Sequence, residues 1–274
     1  MRDIALGQYY PADSILHKLD PRVKFIGTLL YIVALFLVKG VIGYAFMAAV
    51  LVCVIALSKV PLRIIIGGLK PVLVILFITV LFNLFLTPGE VLWQAGAFHI
   101  TREGLRVAVR MAIRLTFLVT GSSLMTLTTT PNQLTDGMEK LFSPLKKIKV
   151  PVHEIAMMMS IALRFIPILM EETDKIKKAQ IARGADFESG NFIKRTKAMV
   201  PLLVPLFVSA FRRANDLAMA MEARCYHGGE GRTQMKPLVY AKRDRIAYLI
   251  LVLIFAAAIL LRIFGAQLPG GTLL

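Results

Sequence analysis

The chain has 274 residues, 57% hydrophobic and 18% charged, with a formal net charge of +16 and a mean hydropathy of +0.67. A soluble domain carries about a quarter charged residues, so an ordinary soluble globular protein is excluded. High hydrophobicity with strong basicity points instead to a polytopic membrane protein whose polar parts face anionic lipid, nucleic acid or an acidic protein. Two cysteines, Cys53 in an apolar run and Cys225 in a basic segment, do not make a disulfide framework.

Residues 1–24 form a polar arm with no apolar core beside its charges, which is not the pattern of a cleavable signal peptide. The arm ends in Leu19-Asp20-Pro21-Arg22-Val23-Lys24. Asp before Pro is a strong helix start, because Asp20 accepts from orphan amides and Pro21 suits the first helical position. Arg22 and Lys24 are expected below the first span as snorkelling cations.

Four apolar segments follow near 25–38, 41–58, 70–87 and 107–129, and a fifth covers 246–264. Spanning a bilayer core takes roughly 20 residues, within a range of about 17–25. Lys39-Gly40 makes a tight connection, so the first two spans are expected to form a hairpin. Asn83 is the one strongly polar residue of the third span. Arg106, Arg110 and Arg114 fall at i, i+4 and i+8 on one face of the fourth, and Arg114 lies deep enough to need a partner carbonyl or a wet crevice. Between spans three and four, the loop carrying Trp93 and Phe98 reads as a short interfacial hairpin or helix with both rings at headgroup level.

Charge orients the spans. With a cytoplasmic N-terminus, the inner segments are residues 1–24, the 59–70 connection (Lys59, Arg63, Lys70) and 131–245. The last holds 20 of the chain's 33 Lys and Arg, while the outer loops hold little besides Lys39, Arg102 and Arg106. This fits the positive-inside rule and gives five spans, a cytoplasmic start and an extracellular end.

Residues 131–245 show no β-pattern and no Gly-rich phosphate loop. They read as long helices, Met-rich and apolar over runs such as Met199–Phe211, which Pro201 and Pro205 are expected to break. The run is either a sixth and seventh span or a helix bedded in the inner leaflet; the charges Lys194, Arg195 and Lys197 and then Arg212 and Arg213 leave about 14 residues between clusters, a length that favours a buried or interfacial helix. In 152–170, Arg164 interrupts the apolar pattern and Pro167 is expected to kink the helix. Methionines such as Met157, Met158 and Met159 are flexible and polarizable, suited to partner surfaces as well as to core filling.

Catalytic constellations are missing from the sequence. It has no G-x-x-x-x-G-K-[ST] loop, and His153-Glu154 lacks the second His of a zinc helix. Gly121-Ser122-Ser123 has no His in any span to activate a serine. No span contains Asp or Glu, which weakens an ion-coupled carrier.

Two small-Arg-small triplets remain, Ala182-Arg183-Gly184 and Ala223-Arg224-Cys225, each ending a long helical pattern about 40 residues apart. A cation there complements the helix dipole by roughly 0.3–1 kcal/mol, which is reason enough for either one alone. Their recurrence suggests more. Small flanking residues let a partner close around a guanidinium, which grips a carboxylate with two hydrogen bonds.

LDPRVK at 19–24, RFIP at 164–167, QIARG at 180–184 and AMEARCY at 220–226 resemble the T component of energy-coupling factor (ECF) vitamin transporters over essentially the whole chain. Cys225 departs from the pattern, which has Gly there, so a left-handed cap is less expected at that place and Gly228 is an alternative turn. The resemblance implies an all-α integral membrane protein with about five transmembrane helices and a cytoplasmic or interfacial coupling region of long crossing helices. Its implied layout is a cytoplasmic arm at 1–24, four transmembrane helices in 25–130, coupling helices in 131–245 and a last transmembrane helix at 246–264.

It also implies a non-catalytic scaffold in the cell membrane. Ala182, Arg183, Gly184, Ala223, Arg224 and Cys225 would dock into two ABC-type ATPase subunits, which themselves bind ATP and Mg. A substrate-binding membrane S component would meet Met157, Met158, Met159, Arg164 and Pro167. No cofactor, metal or nucleic acid is implied for this chain beyond the lipid bilayer. A dedicated cobalt, nickel or biotin module is the alternative within the family. A self-sufficient carrier or a membrane-embedded enzyme are the rivals outside it.

Overall fold

The computed structural model describes residues 9–95, 98–187, 191–229, 235 and 237–264. Its elements are α1 (Pro21–Leu37), α2 (Gly40–Ser58), α3 (Leu62–Leu86), a β-hairpin of β1 (Val91–Ala95) and β2 (Phe98–Thr101), α4 (Arg102–Thr128), α5 (Pro131–Phe142), a 3₁₀ turn (Ser143–Ile148), α6 (Val152–Ala182), α7 (Phe192–Ala223) and α8 (Lys242–Phe264). They form two compact units, one from residues 1–137 with 238–274 and the other from 138–237.

In the first unit α4 is the hub, packed against α1, α2 and α3, while α1 also packs against α8. Leu35, Val38, Tyr44, Met47 and Ala258 make one buried cluster, and Leu51, Val60, Ile65, Leu124 and Leu127 a second. The outer faces are as apolar as the inner ones. Leu73, Val74, Ile75 and Phe77 of α3 and Leu249, Val252 and Leu253 of α8 are all exposed. A helix apolar all round belongs in lipid or in a large core, and these helices have no core on that side.

Five described helices are long and apolar enough to cross a membrane: α2, α3, α4, α6 and α8. The sequence also suggests five, but with the segment that became α1 in place of α6. At 17 residues α1 stands at the short end of the spanning range, and a single Arg164 and Pro167 do not interrupt the 31-residue α6. The third helix also starts earlier than expected. Arg63 and Lys70 lie inside α3 rather than in a connection, and Lys59, left-handed with φ 55°, turns the chain after α2. The Trp93 loop is the expected hairpin, with Gln94 paired to His99; the side chains of Trp93 and Phe98 lie outside the described part. Asn83 is satisfied within its own helix, donating to the Thr79 carbonyl at 2.7 Å.

The expected cap of α1 forms. Asp20 Oδ1 accepts from the Arg22 amide at 2.9 Å, with Pro21 in the first turn. The snorkelling role expected for Arg22 and Lys24 does not. Arg22 pairs with Asp20 through two nitrogens, at 2.9 and 2.7 Å, and their side chains are only 11% and 3% exposed. Lys24 Nζ donates to the Thr128 carbonyl at the end of α4 (2.8 Å) and to the His17 carbonyl (3.3 Å). Orphan carbonyls at a helix end and in the arm capture it before solvent can.

A second acidic group, far away in sequence, completes this cluster. Buried Asp244 accepts from the Asp20 amide at 2.9 Å and from the Ala241 amide at 2.8 Å, so one carboxylate joins the starts of α1 and α8.

The second unit is a pair of long helices running antiparallel. Gln180 of α6 bonds the Pro201 carbonyl of α7 at 3.2 Å, and Glu172 pairs with Arg213 at 3.4 Å. Near the other end the His153 ring meets Gly229 and bonds Glu139 at 2.8 Å. The proline break expected in Met199–Phe211 is not found: α7 continues through Pro201 and Pro205. Pro205 has no N–H for the carbonyl four residues earlier, which is that of Pro201. Gln180 supplies the missing donor. Asn191 stands at the N-cap position of α7, extended at ψ 160° and without a side-chain capping hydrogen bond.

Removing Asp244 strands the buried Asp20 amide, at about 1–3 kcal/mol, and the half-buried Ala241 amide. Asp244→Ala is therefore expected to lower the melting temperature of the detergent-purified chain, read by intrinsic fluorescence. Burial alone would raise the Asp20 carboxyl, but the hydrogen bonds and charge of Arg22 hold it below the usual carboxylate range. That contribution is present above the unfolded value near 3.8 and is lost as pH falls through the lower folded one. Asp20→Asn keeps a capping oxygen and is expected to flatten the acid limb of the stability profile below about pH 4.

Candidate functional site

Both long helices of the second unit stop in the same way. At the end of α6 the Ala185 amide bonds the Gln180 carbonyl at 2.9 Å and the Gly184 amide bonds Ile181 at 2.9 Å. At the end of α7 the Tyr226 amide bonds the Met221 carbonyl at 3.0 Å and the Cys225 amide bonds Glu222 at 2.8 Å. Both are Schellman caps, the six-to-one and five-to-two bonds that close a helix over a left-handed residue. Arg183 and Arg224 occupy the same C-cap position, with φ −88° and −95°.

The residue after each is left-handed: Gly184 at φ 86° and Cys225 at φ 53°. Cys225 thus adopts the cap itself, and Gly228, at φ 96°, adds a separate turn. Closure of the helix end puts a cysteine where glycine goes freely.

The cap leaves each Arg at the exposed end of its helix. Ala182, Arg183 and Gly184 are exposed, as are Ala223, Arg224 and Cys225. Neither guanidinium has an intrachain partner among the described residues, whereas Arg22 and Arg213 are paired. Lys175, Lys177 and Lys178, also exposed, add positive charge before Arg183. The flanking Ala and Gly side chains are too short to cover the guanidinium. Such a group can take a carboxylate through two parallel hydrogen bonds.

The antiparallel pairing places the triplets at opposite ends of the helix pair. From the level of Arg224 to that of Arg183 is about 25 residues of α6, on the order of 35 Å at 1.5 Å per residue. The structure therefore does not bring the two triplets into one site. It builds two copies of one feature.

The third set of residues begins on α6 at about the level of Arg224. Met158, Met159, Arg164 and Pro167 are exposed and Met157 is half-buried. The apolar run Met199–Phe211, read from the sequence as a buried or interfacial helix, presents a comparable surface on α7, where Leu203, Val204, Phe207, Val208 and Phe211 stand exposed and the two Phe rings lie 5.5 Å apart. These residues share one face at the i, i+1, i+4, i+5, i+8 spacing of a helix. Arg114 lies 5.3 Å over the Phe36 ring, and its Nε and that of Arg110 have no hydrogen-bond partner. Among the described residues no three His, Cys, Asp or Glu side chains gather to hold a metal.

Residues 12–235 match the family model CbiQ, described as cobalt transport protein. A Clostridium kluyveri protein named energy-coupling factor transporter transmembrane protein EcfT is 55% identical over 269 residues, covering 97% of this chain and 100% of that one. Proteins of the same name from Acidaminococcus fermentans (51% identical; 96% and 98% covered) and Bacillus subtilis (48%; 96% and 99%) are similar throughout. The chain belongs to this family. It is a transmembrane component of an energy-coupling factor transporter, and its apolar helices are those of a membrane protein.

The caps give a direct stability test. A non-glycine residue in the left-handed region costs roughly 1–2 kcal/mol. Cys225→Gly is therefore expected to raise the melting temperature of the purified component, and Gly184→Val, with open space around it but the wrong φ, to lower it by a similar amount.

Proposed function

We propose that this component is the coupling subunit of an ABC-type importer for vitamins or similar micronutrients. Arg183 and Arg224 each dock into one of two ATPase subunits, which supply the ATP and Mg chemistry. Residues 131–245 and the N-terminus face the cytoplasm, and the chain itself catalyses nothing. The observation that carries this reading is the duplicated Schellman cap, with an exposed and unpartnered Arg at each end of one antiparallel helix pair.

A separation on the order of 35 Å matches the width of a small domain, so two subunits can bind without competing for space. When they close on ATP, the two helix ends must move relative to each other. Because α6 and α7 are joined by Gln180–Pro201 and Glu172–Arg213, that displacement passes along their bodies. The exposed faces at Met157–Met159, Arg164 and Pro167 then tilt against a substrate-binding membrane subunit. Met side chains accommodate such sliding because their rotamers interconvert easily.

A dedicated cobalt module is the second reading, favoured by the description of the family model. The substrate subunit that co-purifies with the chain separates the two: a vitamin binder supports the first reading, a metal-binding one the second.

Reversing one docking charge leaves a partner carboxylate facing a carboxylate, and truncating such buried pairs alone costs about 2–5 kcal/mol. Arg183→Glu or Arg224→Glu is expected to reduce ATPase co-purification at least about 30-fold while membrane insertion is unchanged. Retention of active ATPases by both variants contradicts the docking role. A photo-crosslinker at Met159 is expected to capture a membrane subunit; capture of lipid alone removes α6 from that contact.

A further inference from the structure

The chain leaves the first unit after Gly137 and re-enters it at Leu238, and both places bear on the same five residues. A Cβ on Gly137 would come within 2.9 Å of the Pro21 Cβ, so α5 lies directly on the first turn of α1, and α5 is a single helix across that boundary. On the returning segment, Arg22 Nη2 donates to the Leu238 carbonyl at 3.3 Å, and its guanidinium lies 3.7 Å over the Tyr240 ring. Tyr240 in turn meets the Tyr248 hydroxyl of α8 at 3.4 Å. Asp244 bonds the Asp20 amide, and Lys24 holds the Thr128 carbonyl just before α5.

From this convergence we infer that the first turn of α1, Asp20 to Lys24, is the joint through which displacement of the second unit reaches the membrane helices, with Arg22 as its positioning residue. The inference rests on the coupling role proposed above.

Stability alone does not require this arrangement. A helix start needs one capping oxygen, and a buried ion pair is often replaceable by apolar packing without loss of stability. Arg22 does more than pair with Asp20. One planar group simultaneously holds both carboxylate oxygens, a backbone carbonyl 216 residues later and an aromatic face. Its rigid fork fixes angles between those partners that a flexible ammonium does not.

When the returning segment shifts, it turns Arg22, and Arg22 turns the cap of α1. When α5 shifts, it pushes Pro21. Both inputs therefore act on one helix end, and α1 passes them to α4 and α8, against which it packs.

The test uses the complete transporter, this chain with its ATPases and substrate subunit, reconstituted in proteoliposomes. Uptake and ATP hydrolysis are measured together. Arg22→Ala is expected to assemble and to hydrolyse ATP within about twofold of wild type, with uptake per ATP reduced at least tenfold. Tyr240→Ala, which leaves the Asp20 cap intact, is expected to reduce the ratio in the same direction. Should Arg22→Ala fail to assemble, Arg22→Lys carries the test, since one ammonium nitrogen cannot hold Asp20, Leu238 and the Tyr240 face at once.

An unchanged uptake-per-ATP ratio in the variants that assemble, whether or not both rates fall together, assigns Arg22 a merely structural role and overturns the joint. Failure of the docking reading shows separately, as normal ATPase assembly in Arg183→Glu, whatever the ratio found for Arg22.

Discussion

The last carbonyls of an α-helix have no partners within it, and how α6 and α7 satisfy theirs decides where Arg183 and Arg224 stand. Each helix folds the following amides back, from Gly184 and Ala185 in one case and Cys225 and Tyr226 in the other. That closure needs a left-handed residue directly after the Arg. It leaves the Arg at the C-cap, just past the last helical residue, and exposed. A longer helix would carry the guanidinium on a flank among other charges, and a frayed end would not hold its direction. A fixed backbone beneath a free side chain is a suitable plug for another protein, because little remains to be ordered when the partner arrives.

The same economy explains why the helix pair is stiff where it must be. Pro205 opens a gap in the α7 ladder, and the side chain of Gln180 fills it. The backbone carbonyl of Gln180 meanwhile belongs to the cap that presents Arg183. One residue thus ties the end of α6 to the most vulnerable point of α7. In the first unit, Asp20, Arg22 and Asp244 do a similar job for α1 and α8. Polar groups in this apolar protein are concentrated at such junctions, where an unmade hydrogen bond is expensive and its geometry is therefore strictly kept.

Features whose cause is local were legible in the sequence. Asp20-Pro21 starts α1, and Ala182-Arg183-Gly184 ends α6, because capping chemistry is written within three or four residues. The all-α membrane class followed from composition and run length. Features whose cause is distant were not. Asp244 meets Asp20 across 224 positions of sequence. Pro201 and Pro205 read as breaks because the donor that repairs one of them sits on another helix. The cations Arg22 and Lys24 looked destined for solvent because the Thr128 and Leu238 carbonyls that claim them are invisible from residues 19–24. That α6 is also long and apolar enough to span was hidden by Arg164 and Pro167, which looked like an interruption and are not one.

The most direct measurement is a density map of the assembled transporter taken from its own membrane. The account predicts that Arg183 and Arg224 each reach a carboxylate oxygen at about 2.7–2.9 Å, on two different ATPase subunits. A map with both guanidinium groups in water or lipid, and no ATPase subunit against either, contradicts it.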